Sequence, residues 1–139
     1  MEAGIRIKSI MQPPGEQQRT IDFYSLGDYS FADGECRISY RETELTGLAG
    51  TVTDISVTRE RVIVKRSGVL NSTMEFRVGE KSSFLLDTPY GSATMGIETR
   101  AINASFGDDG GELTVKYVMN IEHAVCSMNR LVIIVKLGS

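Results

Sequence analysis

The sequence predicts an all-β protein, an antiparallel up-and-down meander of about 8–10 strands closed into a barrel. Three observations predict it. Apolar and polar residues alternate with period two along most of the chain, the pattern of a sheet with one buried and one wet face. Turn signals interrupt the alternation at short spacing: "ADGE" (32–35), "TRER" (58–61), "RSGVLN" (66–71), "VGEK" (78–81), "TPYG" (88–91) and "GDDGG" (107–111). No segment carries a sustained i, i+3, i+4, i+7 apolar stripe. Connections this short cannot cross over between parallel strands, so consecutive strands pair as hairpins. An open meander of this length would leave two exposed edges, and closure removes them.

Ten strands follow, over 4–11, 18–31, 35–44, 48–58, 61–67, 70–78, 81–88, 91–106, 112–122 and 125–137. The first is separated from the second by "MQPPGEQQ" (11–18), whose prolines, glycine and glutamines belong to a surface loop. The third, "CRISYRETE", sets Cys36, Ile38, Tyr40, Glu42 and Glu44 against Arg37, Ser39, Arg41 and Thr43. Gly47 just before the fourth and Gly50 near its start suit bends in a curved sheet. The fifth places Val62, Val64 and Arg66 at one parity, and the sixth places Leu70, Met74, Phe76 and Val78 there. The seventh and eighth flank "DTPYG": proline at the second turn position and glycine at its exit make a hairpin corner, with the Tyr90 ring free to cap the barrel mouth. The eighth alternates Ala93, Met95, Ile97, Thr99 and Ala101 with Thr94, Gly96, Glu98 and Arg100. The ninth aligns Leu113, Val115, Tyr117, Met119 and Ile121, with Val118 the exception. The last, "RLVIIVKL", is near-continuously apolar, which implies burial on both faces or contact with a neighbouring element.

Composition bounds the function. The 139 residues form one domain, 1–139, large enough for a substantial core. A formal net charge of −3 and the lack of a Lys/Arg-rich run argue against a nucleic-acid surface. "LVIIV" (131–135), the longest apolar run, is far short of a bilayer span. "MEAGIRIKSI" lacks the form of a signal peptide, so the cytoplasm is the expected location. Cys36 and Cys126 form no CxxC pair and read as small buried apolar residues. With His123 the only histidine, no His/Cys metal site can be assembled, and "GDDGGE" (107–112) lacks the spacing of a calcium loop. No cofactor is expected.

Polar residues on the inward side carry the functional reading. Glu42 shares a face with Ile38 and Tyr40, and an ionised carboxylate there needs a partner. Arg66 is the candidate. Three readings stay open: a partly buried ion pair that fixes register, a charged pair lining a cavity where it orients a polar ligand, and side chains reaching solvent at the rim. Thr99 and Tyr117 lie inward by parity and complete a polar network with Glu42. Met11, Met74, Met95, Met119 and Met128 read as core filler, or as the wall of a pocket tolerant of apolar shapes. No GxSxG elbow or Ser/Lys spacing supports catalysis, and no catalytic residue is assigned.

Four segments in order, "YRETELTGLAGTVTDISV", "VIVKRSGVLNSTMEFRVGE", "TPYGSATMGIETR" and "GELTVKYVMN", resemble the YwiB-like family of small bacterial proteins of unknown function. The resemblance rests on Tyr40-x-Glu42, Arg66-x-Gly68, Met74-x-Phe76, Thr88-Pro89-Tyr90-Gly91, Thr99 and Tyr117, and runs from about Tyr40 to the last strand. It implies a calycin-like, that is lipocalin-like, β-barrel, a cytoplasmic bacterial protein and an interior cavity. It carries over no catalytic residue.

The leading functional expectation is a non-enzymatic barrel binding a small apolar or amphipathic ligand, with Tyr40, Glu42, Arg66, Met74, Tyr90, Thr99 and Tyr117 as candidate ligand residues. The alternative is a filled barrel acting as a structural or interaction module, with the doubly apolar last strand as the candidate surface for a homodimer. A hydrolase or isomerase using Glu42 with a tyrosine is the weakest reading.

Overall fold

A computed structural model describes residues 1–121 and 124–137, which leaves His123 outside the described residues. Ten antiparallel strands form one sheet: β1 (Glu2–Gln12), β2 (Arg19–Ala32), β3 (Glu35–Arg41), β4 (Val52–Val57), β5 (Val62–Ser67), β6 (Ser72–Phe76), β7 (Lys81–Thr88), β8 (Gly91–Gly107), β9 (Gly110–Ile121) and β10 (Ala124–Leu137). Their order across the sheet is β6-β5-β4-β3-β2-β1-β10-β9-β8-β7. Each strand except β6 therefore pairs with its successor in sequence, the hairpin expected between β6 and β7 being absent, and β1 and β10 join along a ladder from Ala3↔Leu137 to Gln12↔Met128. The sheet curls until β6 meets β7. Closure there is incomplete: one bridge, Asn71↔Asp87, carries two backbone bonds of 2.8 and 2.9 Å, and Ser82 Oγ donates to Glu75 O at 2.9 Å. The result is a nearly closed barrel. No helix among the described residues is long and apolar enough to cross a membrane.

The interior is one contiguous apolar cluster, with Ile5, Ile38, Ile55, Val62, Val64, Phe76, Ile97, Leu113, Val115 and Ile133 essentially sealed from solvent. Period-two alternation puts them there, as the sequence implies. Gly27 permits a close approach inside this wall, because a Cβ on it would meet Ile5 Cδ1 at 2.7 Å and also strike Ser39 O. The doubly apolar β10 is accounted for on both sides. Leu131, Ile133 and Val135 enter the core, while Val132 and Ile134 lie half-buried on the outer face beside Arg6, Lys8 and Arg130. Long basic side chains can lay their methylene stems over such residues.

Three local departures from simple alternation have physical causes. The strands expected over 35–44 and 48–58 stop short at Arg41 and begin late at Val52. Between them Thr43 accepts from Leu45 N and caps a 3-10 turn, Glu44–Thr46, which Gly47 closes at φ 75°. In β8 a bulge between Thr99 and Ala101 shifts the register, so Ile102, not Ala101, takes the place opposite Val115 and packs against the core. Ile121, expected inward, is exposed at the end of β9, and Val118 is buried instead.

Candidate functional site

Pairing register brings Tyr40, Thr53, Arg66 and Ser72 into one row across β3, β4, β5 and β6. Glu42 stands one residue past the end of β3. Its amide donates to Thr51 O at 2.8 Å, which continues the ladder and keeps its side chain on the inner face. The carboxylate is 2% exposed. Thr53, fully buried, donates its hydroxyl to Glu42 Oε1 at 2.6 Å. Arg66 Nε lies 3.7 Å from the same oxygen, and its Nη1 is 4.0 Å from Met74 Sδ, a weak acceptor. Glu42 Oε2 and Arg66 Nε are both buried without a hydrogen-bond partner. Buried polar atoms are ordinarily paired, so two orphans side by side stand out.

Both nearby tyrosines are held protonated. Burial pushes the Tyr40 phenol up, the Glu42 carboxylate adds to the shift, and the Arg66 cation opposes it. Burial likewise raises Tyr117, again against Arg66. A protonated phenol retains its hydrogen for donation. Arg66 itself is a quarter exposed, which gives the pair a route toward solvent.

The sequence-derived set is thus brought together in part. Tyr40, Glu42, Arg66 and Met74 form one cluster. Tyr117 reaches toward it from the opposite wall, with its ring 4.7 Å from that of Phe76. Thr99 pairs with Tyr117 and is buried, and its backbone receives the β6–β7 turn: Gly79 N donates to Thr99 O at 3.1 Å and Thr99 N to Glu80 O at 3.2 Å. Tyr90 stands apart. It is 99% exposed at the tip of the β7–β8 hairpin, where Thr88 Oγ1 accepts from its amide, and its ring caps nothing in this structure.

A cavity lies at the other end of the barrel. It measures about 730 Å³ and is walled by Phe31, Cys36, Val57, Ile102, Ala104 and Phe106, with Arg59, Glu60, Arg77 and Glu80 around its rim. Arg77 is held by Glu75 at 2.9 Å and Glu80 at 3.9 Å, whereas Arg59 makes no ion pair among the described residues. Tyr29 braces this end by donating to Gly107 O at 2.6 Å, and its ring lies 6.1 Å from Phe106. Burial pushes the Cys36 thiol up to about 11 and the Tyr29 phenol up to about 12. Sequence reasoning missed this end. The available signal was the parity of Phe31, Cys36 and Val57 beside their turns; Ile102 and Phe106 were masked by the bulge.

A family model described as a domain of unknown function (DUF1934) matches residues 5–133. The chain belongs to the DUF1934 family. The DUF1934 barrel described above is similar to the crystal structure of the ywiB protein from Bacillus subtilis, with a TM-score of 0.87 at 21% sequence identity, covering 99% of this chain and 92% of that one. At that identity the likeness speaks for the fold alone. It bears out the YwiB-like resemblance read from the ordered motifs. No curated protein matches the DUF1934 chain.

Proposed function

We propose that this protein is a non-enzymatic, calycin-like binder of a small amphipathic molecule, held at the open end of the barrel. The observation that carries the reading is the cavity of about 730 Å³, whose volume falls within the range of small-molecule sites. Its floor of Cys36, Val57, Ile102 and Phe106 suits an apolar body. Arg59 on the rim offers a charge to an anionic head group, with Arg77 beside it already engaged by carboxylates. The cluster near Glu42 does not line this cavity, so the ligand residues of this reading differ from those that parity suggested.

Fluorescence titration with anilinonaphthalene sulfonate, an apolar ring system bearing one anion, tests it. Saturable binding that is lost in Ala104→Trp supports the reading, because Ala104 lies exposed on the cavity wall and a large ring there would fill the space. Absent binding, or equal binding by the plugged variant, overturns it. Native mass spectrometry of the purified protein would show any molecule retained from the cell.

A second reading, an interaction module, is supported by Tyr24 and Leu26, which are 73% and 72% exposed on the outer face of β2. Tyr24 lies across Arg6 of β1 from the half-buried Ile134, and Leu26 lies across Gly4 from Lys136. Light scattering that finds a dimer dissociated by Leu26→Lys would favour this reading, and a monomer would remove it.

A further inference from the structure

Three cations meet on the outer face of the barrel. Register sets Arg130 of β10 directly opposite Lys116 of β9, and Lys116 opposite Ala101 of β8. Arg100, the extra residue of the β8 bulge, stands beside them. All three line one hollow of about 320 Å³. They come singly from three strands, so no basic run marks them in the sequence. Like charges directly opposite one another in a ladder are destabilising, and a sheet built for stability alone would set a carboxylate against one of them. Arg100 reaches Glu98 at 3.5 Å, but Lys116 and Arg130 make no ion pair among the described residues.

The floor of the hollow is apolar. Val118 is buried yet stands outside the interior cluster, between Met128 and Glu98 across its two ladders. Met128 and Ile10 line the hollow with it. A second hollow, of about 220 Å³, shares Ile10 and Arg130 with the first and continues the apolar surface over Val132 and Ile134. Guanidinium and ammonium groups only donate, and together they match the oxygens of a phosphoryl group. A phosphomonoester carries close to two negative charges near neutral pH, the number that the two unpaired cations would balance. A recessed floor fits a soluble ester better than a flat lipid surface.

We propose that Arg100, Lys116 and Arg130 form a binding site for a small phosphomonoester, with its phosphoryl oxygens on the three cations and its organic body on Ile10, Val118 and Met128. The site is separate from the cavity at the barrel end.

Titration of the full chain with phenyl phosphate, followed in two-dimensional nitrogen–proton spectra, is expected to move the backbone amides of residues 116–118 and 128–130 saturably. Inorganic phosphate should bind at least about fivefold more weakly, because it forgoes the apolar floor. Lys116→Gln and Arg130→Gln alter exposed side chains and should fold as the parent does. Each is expected to lower affinity about tenfold, in line with one charge-assisted hydrogen bond. Lys65→Gln removes the same charge from an exposed position on β5, remote in the sheet order, and should change affinity by less than about twofold. No saturable movement with phenyl phosphate overturns the proposal. So does movement produced only by phosphatidic acid vesicles, which would assign the face to a membrane. Unchanged affinity in both site variants, an equal loss in Lys65→Gln, or equal affinity for inorganic phosphate would each overturn it as well.

Discussion

Replacing Thr53 by valine removes one hydroxyl and almost no volume, which isolates the hydrogen bond to Glu42. That bond is short, 2.6 Å, and ends on a carboxylate that is 2% exposed. Hydrogen bonds to charged groups contribute about 1.5–3 kcal/mol, and water cannot easily replace this one. Breaking a buried ion pair outright costs about 3–5 kcal/mol, an upper bound here because Arg66 would remain 3.7 Å away. The expected loss for Thr53→Val is therefore about 2–3 kcal/mol. For a chain of this length that corresponds to a fall in Tm of roughly 6–12 °C. Thr53→Ser keeps the donor and deletes one buried methyl, so its expected cost is about 1 kcal/mol. Urea unfolding followed by circular dichroism measures both variants. A valine variant as stable as the serine variant, or more so, would refute the argument and show that the carboxylate does not depend on the hydroxyl.

Gly68 sits at φ 146° with its α-carbon facing Gly50 and Thr51, and a Cβ there would come within 2.7 Å of Thr51 Cα. Gly68→Ala should cost about 2–4 kcal/mol, against about 1 kcal/mol for Gly79→Ala, whose φ of 79° lies in open space; equal urea midpoints would contradict this. A thiol titration with Ellman's reagent should count Cys126 rapidly and Cys36 only after denaturant is added, since Cys36 is buried and Cys126 half-buried. The raised thiol of Cys36 favours its protonated form in the folded state, so its contribution is complete below the ordinary value near 9 and is lost as pH rises through about 11. Urea midpoints should fall more steeply over that window in the parent protein than in Cys36→Ala, and parallel pH curves would count against the assignment. Tyr90→Ser should change stability by less than about 0.5 kcal/mol, as expected for an exposed side chain without partners; a larger loss in thermal unfolding would mean the ring has a contact in solution.

Outside the β6–β7 seam, strand number, order and pairing were legible because each strand pairs with its successor and buries one face, so local alternation and short turns carry the topology. The inward placement of Glu42 was legible for the same reason, although the strand ends one residue earlier. Alternation fails where a backbone irregularity intervenes. The bulge at Thr99/Ala101 exchanged Ala101 for Ile102 and thereby concealed part of the wall of the larger cavity. It also fails at strand ends, where Ile121 and Tyr90 have no opposing surface to cover them. The orphaned atoms at Glu42 and Arg66 depend on distances of a few tenths of an ångström between strands. No linear pattern encodes those.

The β1–β10 ladder has a kinetic consequence. Hairpins such as β4–β5 and β8–β9 join residues close in sequence and can form early at little entropic cost. The β1–β10 pairs, by contrast, join residues more than a hundred positions apart, beginning with Ala3↔Leu137. Closing so long a loop must precede any return from its contacts, which raises the barrier and slows refolding. Until that step, both half-sheets present an unpaired apolar strand, β1 in one and β10 in the other. Competition between β1–β10 pairing within a chain and between chains then sets the refolding yield, which should fall as protein concentration rises.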